Sequence, residues 1–356
     1  MTPSQRFLAA CRRQPVDRTP VWFMRQAGRI FPEFRALRRQ YGFVELMQHP
    51  DLCAEITVMP VERLGVDAAI LFADIMTPLA PLGVDYRIEP GVGPVVGQPL
   101  AAAADLGRLR RFDPREELAP VLETVRLVRR ALGDRVPLIG FAGAPFTLAC
   151  YLIEGRPSRE FHRARALMYG DPAFWHGLME RLAETVLDYL RAQVEAGVQA
   201  VQLFDSWVGG LGPAAYRRFV LPYSSRVLEG LADLGVPRIH FGTGNAALLP
   251  LMAEAGAEVV GVDWRVDLDR AWEAIGPDKA IQGNLDPAAL LAPFDQVEEQ
   301  ARDVLRRAAG RPGHIFNLGH GVLPETPVDH LRRLVELVHR ETERPAEAEA
   351  RPAAGV

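Results

Sequence analysis

The chain has 356 residues, 48% of them hydrophobic, with 41 basic and 45 acidic side chains for a net charge of −4. That length and apolar content build one large domain or two medium ones. The near balance of charge excludes bulk attraction to nucleic acid or to an anionic membrane, so an anionic ligand has to be met by a local cluster of cations.

From the N-terminus, no apolar run has the length of a signal peptide's core or of a membrane span, and the expected location is cytoplasmic. The three cysteines, Cys11, Cys53 and Cys150, form no CxxC pair and suggest neither a disulfide framework nor a thiolate metal site. Eight short apolar runs then recur: 20–24, 67–72, 136–141, 200–204, 238–241, 258–263, 279–284 and 314–319. Near-continuous apolar strands suit a parallel sheet buried on both faces. Helical patterns lie between them. Residues 49–65 carry a proline near the start and a glycine past the end, 114–133 repeat apolar residues at three and four spacing, and 171–197 open on Asp171 as a cap. Further helical stretches cover 212–235, 245–256, 267–276 and 294–310. This alternation predicts an α/β fold, a single (β/α)8 TIM barrel over residues 1–340 with its cleft at the C-terminal ends of the strands. A doubly wound sheet is the competitor, but no GxGxxG follows a first strand. Residues 80–100, rich in Gly, Pro and Val, read as a hairpin or lid on the second connection. The tail, 341–356, has almost nothing to bury and is expected to be disordered.

In a barrel, chemistry is assembled from the C-terminal ends of several strands. That rule places Arg25 after the first run, Asp74 after the second, Asp205 and Ser206 after the fourth, and His240 with the GTGN turn (242–245) at the fifth. Asp263, Asn284 and His320 follow the sixth, seventh and eighth. Each also reads as a helix cap or turn closer, above all Asp263 and Asn284. Arg25 and Arg29, four apart, would share one face of a helical turn, and two guanidinium forks suit carboxylates or phosphates. Arg35, Arg38 and Arg39 read as ion pairs with Glu33 or as surface. The eight histidines are scattered with no HExxH, so no metal site is predicted. The GTGN turn, at a helix start, also reads as an anion cradle.

The strings TPVWFMRQAGR, ILFADIMTPLAPLG, GFAGAPFTLACYLIEG, QLFDSWVG, HFGTGN, QGNLDP and FNLGHGVLPETP resemble the uroporphyrinogen decarboxylase family across residues 3–340. The resemblance implies a single-domain barrel, commonly a homodimer with facing clefts, that works without metal or organic cofactor. Its reaction removes the four acetate carboxyl groups of uroporphyrinogen III to give coproporphyrinogen III. Carried over by motif, Asp74, Arg25 and Tyr151 are catalytic; Arg25, Gln26, Ala27, Gly28, Arg29, Asp74, Phe141, Tyr151, Phe204, Ser206 and His320 contact substrate. Tyr151 is also expected to orient Asp74. Asp205 stands where the animal form has glutamate. Two rivals remain: a corrinoid methyltransferase of the same superfamily, whose His-x-Cys zinc ligands are missing here, and a non-catalytic tetrapyrrole or anion carrier, which would have no need of Asp74.

Overall fold

The structure is a computed structural model and describes residues 1–89 and 91–344. Seven parallel strands form the central sheet: β1 (Ala69–Ile70), β4 (Leu138–Gly143), β5 (Ala200–Asp205), β6 (Arg238–Gly242), β7 (Val259–Gly261), β8 (Ala280–Gln282) and β9 (His314–Ile315). They are paired in that order, every neighbour parallel. Between β1 and β4, the antiparallel pair β2 (Tyr86–Glu89) and β3 (Gly93–Val96) forms the hairpin expected within 80–100. Its base is bonded to the next connection: Val96 N–H donates to Gly155 O at 2.8 Å and Leu100 N–H to Leu152 O at 2.8 Å.

Helices fall where the apolar spacing predicts them. Pro50–Leu64 ends on Gly65 in the left-handed region, and Pro172–Ala196 starts on Asp171, whose side chain accepts from Phe174 N–H at 3.0 Å. The sequence reading missed the helix Val328–Thr342, which buries Leu331, Leu334, Val335, Leu337 and Val338. It runs two residues into the stretch expected to be disordered, and Arg344 N–H then donates to Asp17 O at 2.8 Å. The rest of the expected tail, 345–356, lies outside the described residues.

The first predicted strand, 20–24, is not a strand. It makes one isolated parallel bridge, Val21 with Phe316, although Val21, Trp22, Phe23 and Met24 are all buried. The cause is where its backbone donors go. Pro20 has no N–H, and the N–H groups of Val21, Phe23 and Met24 are taken by side chains: Asp67 Oδ2 at 2.8 Å, Gln26 Oε1 at 2.9 Å and Asn317 Oδ1 at 3.1 Å. Only Trp22 N–H reaches a ladder carbonyl, Phe316 O at 3.3 Å. On its other side the segment meets the chain just before β1, where Asp67 N–H donates to Val21 O at 2.7 Å.

Asp67 fixes this seam. Its carboxylate is fully buried and accepts from Arg6 Nη1 at 2.7 Å, from Val21 N–H, and from His339 Nε2 at 2.6 Å. Inside the sheet a second polar chain crosses the core: Trp22 Nε1 donates to Gln282 Oε1 at 3.0 Å, and Gln282 Nε2 to Gln202 Oε1 at 3.0 Å. Breaking one partner out of a buried charged cluster costs about 3–5 kcal/mol. Asp67→Asn, which keeps the shape and removes the charge, is expected to lower unfolding stability by about 3 kcal/mol, seen as a lower urea midpoint at unchanged m-value. A midpoint within error of the parent would remove Asp67 from this role.

Candidate active site

Arg25 follows the seam segment and has a φ of +60°, in the left-handed region that side chains other than glycine rarely adopt. The expected helical turn is absent; the helix begins at Pro32, so Arg25 and Arg29 are not neighbours on one helix face. Both are exposed, and among the described residues neither pairs with a carboxylate within 4.0 Å. Arg35 and Arg38 are occupied. Arg35 donates to the carbonyls of Arg29 and Ile30, Arg38 donates to Tyr41 O at 2.6 Å and lies over the Phe43 ring, and Glu33 pairs with Arg63 instead of its arginine neighbours. Gln26 is buried, and its amide is spent inside the protein, on Phe23 N–H and on Ala68 O at 3.0 Å. Its side chain holds the loop.

Asp74 follows β1 in a tight turn. Its Oδ1 accepts Met76 N–H at 2.8 Å, and its own N–H donates to Thr77 Oγ1 at 3.1 Å. One oxygen therefore does the turn-capping work, while Oδ2 carries no protein hydrogen bond among the described residues. Burial pushes the Asp74 carboxyl above the ordinary carboxylate range, opposed by Met76 N–H and by the Arg25 charge. No hydrogen bond joins Tyr151 to Asp74, so the orienting partners are Met76 and Thr77, which sequence reasoning missed. The turn packs closely on the end of β4, where a methyl group on Gly143 would lie 3.1 Å from both Ile75 Cβ and Ile75 O.

Tyr151, on the helix Pro145–Glu154, is buried with its ring 5.9 Å from those of Phe161 and Trp207. Burial pushes its hydroxyl up to about 12, and both Asp74 and Arg25 act on it through their charges. His320 closes the ring of groups. Its Nδ1 accepts Gly321 N–H at 2.6 Å, so the neutral ring carries its proton on Nε2. Burial lowers its pKa to about 4, reinforced by Arg25 and Arg265. The charge of Arg25 favours the ionised forms of Asp74 and Tyr151 and the neutral form of His320.

Phe141, Phe204 and Phe241, on β4, β5 and β6, line up at centroid separations of 5.4 and 5.8 Å, and Phe241 meets the His320 ring at 6.3 Å. Gln193 clamps Phe141 from behind, accepting its N–H and donating to its carbonyl, both at 2.9 Å. Ser206 is half-buried in the turn after β5, its carbonyl bonded to the Thr243 hydroxyl. Ala27 and Gly28 are half-buried in the arginine loop.

Four rim candidates have other work. Asp205 alternates with Phe204 and points away from it: fully buried, it accepts from Thr147 Oγ1 at 3.1 Å and lies 3.6 Å from His240 Nε2, itself fully buried. Asp263 accepts from Gly244 N–H at 2.6 Å and Arg265 N–H at 3.0 Å, and Asn284 donates to the carbonyls of Asp263 and Val266. Since Asp263 takes Gly244 N–H, the GTGN turn is not an open anion cradle. Asn317 was also missed. Its Oδ1 accepts from both Met24 and Leu318, tying the arginine loop to the FNLGHG segment.

An unpaired arginine pair, a half-buried carboxyl, a neutral histidine and a wall of three phenylalanines gather at one end of a parallel α/β sheet, where positive charge lies beside an apolar surface. Among the described residues no three His, Cys, Asp or Glu side chains converge as metal ligands, and no helix is long and apolar enough to cross a membrane. The family profile described as "Uroporphyrinogen decarboxylase (URO-D)" matches residues 2–341. The uroporphyrinogen decarboxylase of Streptomyces coelicolor is 58% identical over 338 residues, 95% of each chain, and that of Roseiflexus sp. is 54% identical over 94% of this chain and 97% of its own. The chain belongs to the uroporphyrinogen decarboxylase family. Among solved structures, a methyltransferase from Methanosarcina mazei shares the fold with a TM-score of 0.75 at 21% identity, covering 96% of this chain and 99% of its own.

The His320 pKa carries a sign. Its folded value, about 4, is below the ordinary 6.5, so unfolded chains bind more protons between the two. Stability from neutral His320 is full above pH 6.5 and is lost as pH falls towards 4. An NMR titration of the His320 ring is expected to have its midpoint near 4; a midpoint near 6.5 would mean a solvated ring and a different site.

Proposed function

We propose that this site carries out the decarboxylation of uroporphyrinogen III to coproporphyrinogen III with Asp74 at its centre. The chain is a decarboxylase of the uroporphyrinogen type; the observation that carries this is the family match over nearly the whole chain. Each acetate arm, CH2COO−, loses CO2 and gains one proton to become CH3. A pyrrole carbon is first protonated, so the ring cation can accept the electron pair of the breaking C–C bond. The resulting exocyclic methylene is protonated, and loss of the ring proton restores the pyrrole. The tetrapyrrole supplies its own electron sink.

The free Oδ2 of Asp74 suits this chemistry. A preorganised carboxylate accepts pyrrole N–H groups and stabilises the cation formed on ring protonation, an effect that grows where solvent is excluded. Arg25 and Arg29, with no protein carboxylate to satisfy, take carboxylates of the substrate. Because a guanidinium holds its proton throughout the working range of proteins, Arg25 is a positioning and charge-stabilising group. His320 donates Nε2–H to a peripheral carboxylate without adding charge, Ser206 and the Tyr151 hydroxyl donate in the same way, and Phe141 and Phe204 support the ring face. The same reading takes residues 20–24 as the eighth member of a closed barrel; what supports it is that they are bonded to Phe316 on one side and Asp67 on the other. It also carries a homodimer with facing clefts, which sedimentation equilibrium checks and a monomer would refute.

The test is anaerobic incubation with reduced uroporphyrinogen III and chromatography of the oxidised products. The parent protein is expected to yield coproporphyrin; Asp74→Asn keeps the shape, places an NH2 opposite the pyrrole donors, and is expected to lower kcat by about two orders of magnitude, roughly 3 kcal/mol. If Asp74 only caps its turn, the variant loses stability and keeps its turnover. A well-folded Asp74→Asn protein with at least half the parent's kcat would therefore end the proposed role.

A further inference from the structure

Arg25 is the one charge that acts on Asp74, Tyr151 and His320 together, yet no hydrogen bond or ion pair holds its guanidinium among the described residues. Its position is set lower on the side chain. The segment 317–322 grips the residue before it from both sides: Asn317 Oδ1 accepts Met24 N–H at 3.1 Å, and Val322 N–H donates to Met24 O at 2.9 Å. Between those grips lies Gly321, and the stem of Arg25 runs directly over it. A methyl group on Gly321 would overlap Arg25 Cδ and lie 2.7 Å from Cγ and 3.0 Å from Nε.

Gly321 is not required by its own backbone. Its φ lies outside the left-handed region that favours glycine, and the three nearest atoms to an added methyl all belong to Arg25. Those atoms are in the middle of the stem, so the conflict is not relieved by swinging the tip of a flexible chain. It needs a different Arg25 rotamer, and Arg25 already starts from a backbone at φ +60°.

We propose that Gly321 is a positioning residue for Arg25: its missing side chain is the slot that holds the arginine's methylene stem and so directs the guanidinium towards Asp74. Gly321 touches neither substrate nor reacting atoms and acts only through Arg25. The inference rests on the decarboxylase reading for its assay.

Four ionisable groups act on or are acted on by Asp74. Arg25 comes from the seam loop, Tyr86 from β2, Tyr151 from the helix Pro145–Glu154 and Tyr189 from the helix Pro172–Ala196. Burial raises all three tyrosines above their ordinary range, so they stay neutral where enzymes are assayed, and only Arg25 holds the Asp74 pKa down by its charge. Moving Arg25 away lets that pKa rise.

The experiment is a double-mutant cycle of Gly321→Ala and Arg25→Ala, read as kcat/KM, its pH profile and the melting temperature. Gly321→Ala is expected to lower kcat/KM by about tenfold with melting unchanged, and to move the acid limb of the profile to higher pH, as Arg25→Ala does. In the Arg25→Ala background the same change is expected to have no further effect. An equal loss in both backgrounds, or an acid limb left where it was, would overturn the proposal, since the glycine would then act through the backbone or His320. If the parent protein forms no coproporphyrinogen, the decarboxylase reading fails by itself. A crystal structure of Gly321→Ala then decides the inference, which is overturned if Arg25 keeps its rotamer and upheld if it leaves the slot.

Discussion

Asp67 is a carboxylate closed off from water whose two oxygens take donors from the N-terminal helix (Pro3–Cys11), the seam segment and the last helix (Val328–Thr342): Arg6, Val21 and His339. A buried charge with one partner is a cost; with three it is a fixed point. Because one of the three is a backbone N–H, the fixed point lies on the chain itself, three residues before Met24 and four before Arg25. The N-terminal helix, the seam and the C-terminal helix thus meet at one atom group. The rim that carries the chemistry inherits its register from it.

Above that point the site is organised around charge that the protein leaves uncompensated. In the 24–39 segment Arg35 and Arg38 are held by carbonyls and, for Arg38, an aromatic face, while Arg25 and Arg29 are left exposed. The groups that feel the Arg25 charge are a carboxyl made less acidic by burial and a histidine that burial keeps neutral. Such a site is short of negative charge, and the phenylalanine wall beside it is apolar. A ligand that complements both features carries anionic groups on an apolar frame.

The sheet strands after the first were legible because apolar runs bounded by turns leave few alternatives for a buried parallel strand. Residues 20–24 were misread for a definite reason: periodicity records which side chains are buried, and all of 21–24 are, but it does not record that Asp67, Gln26 and Asn317 take the backbone donors. The same limit hid the roles of Gln26 and Asn317, whose amides serve the main chain. Asp205 and His240 were assigned to the rim from their place at strand ends, and one residue of alternation puts them on the opposite face. Asp74 was legible as a carboxylate at a strand end, and the motif resemblance gave it a role. That one of its oxygens is consumed by Met76 is visible only in three dimensions.

The hairpin β2–β3 gains a meaning from where its base is tied. It leaves the chain shortly after Asp74 and is bonded, through Val96 and Leu100, to Gly155 and Leu152 around the end of the helix that carries Tyr151. Two consecutive connections that would otherwise sway separately are braced as one panel of the cleft wall. The spacing between the Asp74 turn and the helix that bears Tyr151 is thereby set by backbone hydrogen bonds and not by the two side chains themselves.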